Sequence, residues 1–147
     1  MDITFLVEKD KILTVVNKLF VYTDNRNWAG IENEVFTAEV RFDMTSLVGG
    51  EPAMLLASAI TSAWEEGLRP LETVHHQTGN FEVIIDNNIA TVNCYGIAYH
   101  YRQIPSGRNT RVFVGTYVLN LANLPEGWRI DAFTFIKKFI DGNLELT

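Results

Sequence analysis

Asp24, the adjacent pair His75 and His76, and His100 are the residues of this chain best suited to proton chemistry, and the chain has 3 histidines in all. Imidazole is the side chain that takes and returns a proton near neutrality. A carboxylate beside it fixes the tautomer and stabilises the imidazolium, which makes the other ring nitrogen a general base. Counting back from Asp24 by fours gives Phe20, Val16 and Ile12, so a helix through these residues places the carboxylate on its buried stripe. Such a carboxylate must be paired, hydrogen-bonded or protonated. The other reading of Asp24 is a helix-end residue satisfied by local backbone donors. His75 and His76 lie in an extended stretch, so only one of them faces inward: Val74, His76 and Thr78 share one side, and Thr73, His75 and Gln77 the other.

The spacing argues against a metal centre. Neither His-x-His nor His-x-x-x-His occurs, and His76 and His100 are separated by a strand junction, so the expectation is no metal. Cys94 is the single cysteine, which excludes an internal disulfide and a multi-cysteine zinc site. Set among Val92, Tyr95 and Gly96, it reads as a buried thiol rather than a nucleophile.

These side chains need elements to hold them. Apolar residues recur at helical spacing from Asp10 through Ile12, Leu13, Val16, Leu19, Phe20 and Thr23, and Asp24 to Asn27 form a polar break. Trp28, Ile31, Val35 and Phe36 predict a short second helix, and Val40 to Met44 a short strand ended by Gly49-Gly50. Glu51 and Pro52 suit the first turn of a third helix. Its buried face would be Leu55, Leu56, Ala59, Ile60, Ala63 and Trp64, with Gly67 closing it.

The rest reads as strands: Glu72 to Thr78, Phe81 to Ile85, Ile89 to Arg102, Arg111 to Ala122 and Trp128 to Lys138, with turn chemistry between them. Helices followed by an antiparallel meander predict an α+β fold with helices packed on one sheet face.

At 147 residues, with 47% hydrophobic and 20% charged positions, the chain is long enough for one core and too apolar for disorder, so one domain spanning residues 1–147 is expected. Twelve basic against 18 acidic residues give a net charge of −6, which argues against a nucleic-acid partner. Arg102, Arg108 and Arg111 surround one turn and read as a solvated hairpin end. No apolar run approaches the ~18 residues of a membrane helix. The opening Met-Asp-Ile-Thr lacks the pattern of a secretion signal, so a cytoplasmic location is the default expectation.

The strand from Ile89 to Arg102 carries the most information. Ala90, Val92, Cys94, Gly96, Ala98 and His100 share one face; Thr91, Asn93, Tyr95, Ile97, Tyr99 and Tyr101 share the other. Small residues leave room for a pocket under the helices, with the His100 imidazole facing it. The aromatic face has no second core to enter, which predicts a homodimer or homotrimer through the sheet face. Tyrosines serving as good strand formers on an exposed sheet are the other reading. Phe133, Phe135 and the tail from Ile136 to Leu146 are left open, either capping the pocket or packing on a neighbour.

At this point the residues resemble a family. Tyr22-Thr23-Asp24-Asn25-Arg26-Asn27-Trp28, Phe42-Asp43-Met44-Thr45-Ser46-Leu47, Gly49-Gly50, His76 with Asn80, and Gly127-Trp128-Arg129-Ile130 are similar to the SnoaL-like group of the nuclear-transport-factor-2-like superfamily. The resemblance runs from about Asp10 to Gly142. It implies helices on a strongly curved antiparallel sheet, a cone with an internal pocket. Scytalone dehydratase and lindane dehydrochlorinase are similar in pattern. In both, an aspartate ending the first helix orients a histidine base, which implies Asp24 and His76, the latter chosen over His75 by its spacing to Asn80. A second pocket histidine is implied at His100, within Tyr99-His100-Tyr101-Arg102. No cofactor is implied.

The departures are specific. Thr23 and Met44 stand where scytalone dehydratase has tyrosines, Gly115 and Tyr117 lie near its serine and asparagine, and Leu19 replaces the lysine of lindane dehydrochlorinase. The resemblance thus keeps the candidate base and loses the electrophilic partners of both relatives. Tyr117 shares a strand face with Phe113 and Gly115 and is the candidate replacement. Met44, Trp64, Phe113, Tyr117 and Phe135 are the candidate pocket residues.

The function expected on this basis is a lyase or isomerase without cofactor, performing elimination, hydration or isomerisation on a small apolar molecule. Asp24, His76 and His100 would be its catalytic residues. The alternative is a non-catalytic ligand-binding or assembly subunit of the same fold, similar to the small subunits of ring-hydroxylating dioxygenases. Small-molecule binding is common to the first reading and to the ligand-binding form of the second.

Overall fold

A computed structural model describes residues 2–147. Helix α1 spans Ile3–Asp24, seven residues longer at its start than the apolar stripe predicts. Asp2 extends it by accepting the Thr4 N–H at 3.0 Å, which caps orphan donors of the first turn. Its buried stripe is Ile12, Val15, Val16, Leu19, Phe20 and Thr23. A short helix α2, Trp28–Gly30, continues into a π-helical turn over Ile31–Val35. Strand β1, Phe36–Asp43, then leads through α3, Thr45–Val48, and β2, Ala53–Leu56, into α4, Ala57–Leu68. Four long strands follow: β3 Thr73–Asp86, β4 Ile89–Tyr101, β5 Thr110–Leu124 and β6 Gly127–Gly142.

The six strands form one curved, unclosed sheet in the order β2-β1-β6-β5-β4-β3, with α1 packed against β3 and β6. This is the expected α+β architecture, with corrections to its sheet: the two strands expected at Glu72 to Thr78 and Phe81 to Ile85 are one, β3, with a register shift between Gly79 and Glu82. β3 to β6 are an antiparallel meander, but β1 runs parallel to β6, pairing Phe42 with Phe133, so the sheet is mixed. The sequence pattern shows which segments are extended, not which distant strand each one joins.

The third helix is also corrected. Residues 53–56 pair with β1, with Ala53 opposite Phe42 and Leu56 opposite Glu39, so the helix begins at Ala57 rather than at Glu51. Its buried face is Ala57, Ile60 and Thr61 with Trp64 half-buried, while Leu56, Ala59 and Ala63 are exposed. Gly67 lies within its last turn rather than after it. Edge-strand pairing overrode a helical pattern that was locally acceptable.

Two features hold the frame around the first helix. The Trp128 indole N–H donates to Glu8 at 2.7 Å, tying α1 to the start of β6. At its other end Arg26, in the left-handed region at φ 57, donates to the Leu71 carbonyl at 2.6 Å and so anchors the turn between α4 and β3. The chain tail folds back on its own protein: Leu146 is buried against Leu71 and Val74.

Candidate active site

The last residue of α1 lies beside β3. Asp24 Oδ1 is 2.6 Å from His76 Nδ1, and its Oδ2 accepts the backbone N–H of the same residue at 2.9 Å. Two bonds to one residue fix both the strand and the ring. A carboxylate accepts here, so Nδ1 donates, and in the neutral ring the lone pair is on Nε2. Both side chains are largely shielded, 13% exposed for His76 and 18% for Asp24. The Phe20 ring lies 5.5 Å from the imidazole.

The dyad borders a cavity of about 380 Å³, within the range of small-molecule sites. Its walls are mostly aromatic and aliphatic. Val48 of α3 is 75% exposed and Ala63 and Gly67 of α4 are exposed, so the mouth lies between these two short helices. Ser46 holds α3 there, donating to the Phe135 carbonyl and accepting the Lys137 N–H, each at 2.8 Å.

Of the residues singled out from the sequence, His76, His100, Met44, Trp64, Phe113, Tyr117 and Phe135 all line this cavity, and Asp24 stands behind His76. His75 points away and is exposed. Phe133 and Phe135, left open above, are both buried on the cavity side. Cys94 is buried, and burial pushes its thiol up to about 11, so no thiolate is present near neutrality.

Arg111 is the cavity residue that the sequence pattern misplaced. It is not at a solvated hairpin end: its register partner on β4 is His100, and it lines the cavity. The signal was present, because the alternation that puts Tyr117, Gly115 and Phe113 on one face reaches Arg111 two residues further on. The turn composition around it pointed to solvent instead.

Arg111 Nη2 donates to His100 Nδ1 at 3.0 Å. A guanidinium has no acceptor, so Nδ1 must accept, and the neutral ring carries its proton on Nε2. Burial, and then the Arg111 charge, lower the His100 pKa to about 4, which keeps the ring neutral at pH 7. His100 is thus a donor, whereas His76 offers a lone pair. The Tyr117 hydroxyl has no protein partner among the described residues, and burial raises its pKa well above the usual value, so it too remains a donor.

The chain is similar over its fold to a protein from Kribbella flavida, at 19% identity and a TM-score of 0.88, covering 92% of this chain and 93% of that one. A candidate scytalone dehydratase from Novosphingobium aromaticivorans aligns at 16% identity and a TM-score of 0.79, over 97% and 92% of the two chains. A hexachlorocyclohexane dehydrochlorinase from Novosphingobium barchaimii aligns at 8% and 0.77, over 99% and 96%. At these identities the likeness is one of fold. Comparison with curated proteins by sequence finds no match. The sequence model described as a SnoaL-like domain matches residues 5–134, and the chain belongs to that family.

Proposed function

We propose that this chain is a cofactor-independent lyase or isomerase that acts on a small, largely apolar molecule, with His76 as its general base. The observation that supports this reading is the 2.6 Å contact of Asp24 with His76 Nδ1 beside a cavity of about 380 Å³. In the proposed step His76 Nε2 removes a proton from carbon, and the C–H electron pair becomes a new π bond. In elimination a leaving group departs with its own electron pair; in isomerisation the imidazolium returns the proton to a different carbon. His100 Nε2–H and the Tyr117 hydroxyl donate to oxygen on the substrate. Asp24 is a positioning residue, which holds the base and stabilises its cation.

Proton transfer to a positioned base is testable before the substrate is known. Enolisable ligands incubated with the protein in deuterium oxide should gain deuterium, and His76→Ala should reduce that rate by ~10²–10⁴-fold. The substitution keeps the backbone N–H bond to Asp24, so circular dichroism should be unchanged. Exchange that persists in His76→Ala removes the proposed base. A ligand that binds tightly and is recovered without deuterium favours a binding protein instead.

We also propose that copies of the chain associate through the outer sheet face. Tyr95, Ile136 and Phe139 are about half exposed there, and β4, β5 and β6 align Tyr95, Thr116 and Ile136 in one row and Ile97, Val114 and Phe139 in the next.

A further inference from the structure

Arg111 is a cation without a counter-ion among the described residues. Of its five N–H donors one meets an acceptor, the neutral His100 ring. Its Nε–H is buried with no partner among the described residues. No carboxylate lies within ion-pair distance of it in the described residues. Asp24, which stands behind His76, is already engaged twice by that residue. A guanidinium stays charged even where burial opposes it. Proteins pair charges that they take out of water, and this charge is left facing a cavity whose walls are mostly apolar.

The group is also held in place. Its central carbon lies 5.3 Å from the Phe113 ring centroid, and the same ring packs on His100 at 5.0 Å. Arg111 and His76 stand on strands separated by β4, with His76 opposite Ala98 and Arg111 opposite His100. Two strand spacings across the sheet, about 10 Å, and two residues along it, about 7 Å, therefore put the backbones of the charge and the base about 12 Å apart. A ligand with its reacting carbon at His76 and an anionic group at Arg111 fits between them.

We propose that the ligand of this cavity is a carboxylate with a ring-sized apolar body, its carboxylate seated on Arg111 and its body among the aromatic walls. A planar fork of donors matches a carboxylate in two-point geometry, which a single hydroxyl or amide does not reproduce. This rests on the proposed role of His76 only for which bond reacts; binding stands separately. His100 has a double part, since accepting from Arg111 both orients the guanidinium and leaves Nε2–H as its own donor.

The test compares matched acids and amides as probes: benzoate with benzamide, and cyclohexanecarboxylate with cyclohexanecarboxamide. Binding to the wild-type chain is read by titration calorimetry at pH 7. Each acid should bind at least tenfold more tightly than its amide. Arg111→Met should abolish that preference, and Arg111→Lys should restore part of it. Equal binding of acid and amide to the wild type overturns the anion subsite, as does failure of both acids to bind at millimolar concentration. The wild-type comparison decides even if Arg111→Met fails to fold. Because binding rather than turnover is read, failure here leaves the His76 base standing, and loss of that base leaves this subsite standing.

Discussion

Gly96 on β4 lies directly opposite Gly115 on β5, and neither position has room for a methyl group. A Cβ at Gly96 would run into the Tyr117 ring; one at Gly115 would meet the Phe135 ring at 2.6 Å and the Ile136 carbonyl. Two missing side chains on neighbouring strands thus let two aromatic rings lie against the sheet. Tyr117 and Phe135 then pack on each other, 4.9 Å between centroids, and both line the cavity. Space for a ligand and the placement of a buried phenol come from the same pair of positions.

Gly96→Ala is therefore expected to destabilise the fold by about 1–3 kcal/mol through overpacking. Urea titration should show a lower midpoint with an unchanged slope. In a Tyr117→Leu background the same substitution should cost much less than in the wild type, because the clash is with that ring. Wild-type stability in Gly96→Ala alone would mean that the ring yields freely and does not define the cavity.

Stability should also depend on pH through His100. Its folded pKa, about 4, lies below the ordinary 6.5. Between these values the unfolded chain binds a proton that the folded chain refuses, so stability falls as pH drops from 6.5 towards 4. The full effect is of order 3 kcal/mol. The groups setting this shift besides burial are Arg111 and His76, which oppose the charge, and Asp24, which favours it. Unfolding free energies at pH 4.5 and 7 should differ less in His100→Gln than in the wild type. An identical pH dependence in both would assign the effect to other groups.

The outer sheet face makes a separate prediction. Phe139 is 54% exposed and Tyr95 51%, with the Lys138 ammonium 3.8 Å from the Tyr95 ring centroid. Light scattering coupled to gel filtration should find a dimer or trimer, and Phe139→Glu should shift it to the monomer while circular dichroism stays constant. A wild-type monomer at all concentrations, or a variant that still assembles, would exclude this face.

Much of the site was legible in order along the chain. Asp24 falls on the α1 stripe because helical periodicity extends past the last apolar residue, and His100 falls on the small face of β4 because strands alternate. Both rules act within one element and need no knowledge of its neighbours. Arg111 shows where such rules stop. Its face was fixed by the same alternation, but the turn-rich composition from Pro105 to Arg108 drew it into a solvent-exposed reading. The edge strand Ala53–Leu56 failed for a related reason, since its partner β1 lies outside the window in which a helical pattern is judged.

By itself the sequence determined the first helix, the long strands with their inward faces, and the family. Each of these is encoded by local periodicity or by motifs in a fixed order. The tertiary structure decided that β1 runs parallel to β6, that Asp24 grips His76 through both oxygens, and that Arg111 donates to His100. Those relationships join residues between 11 and 94 positions apart along the chain, from Arg111 with His100 to Phe36 with Ile130. Such pairings follow from how the sheet curves and from which strand ends meet, and it is burial of the whole core that fixes both.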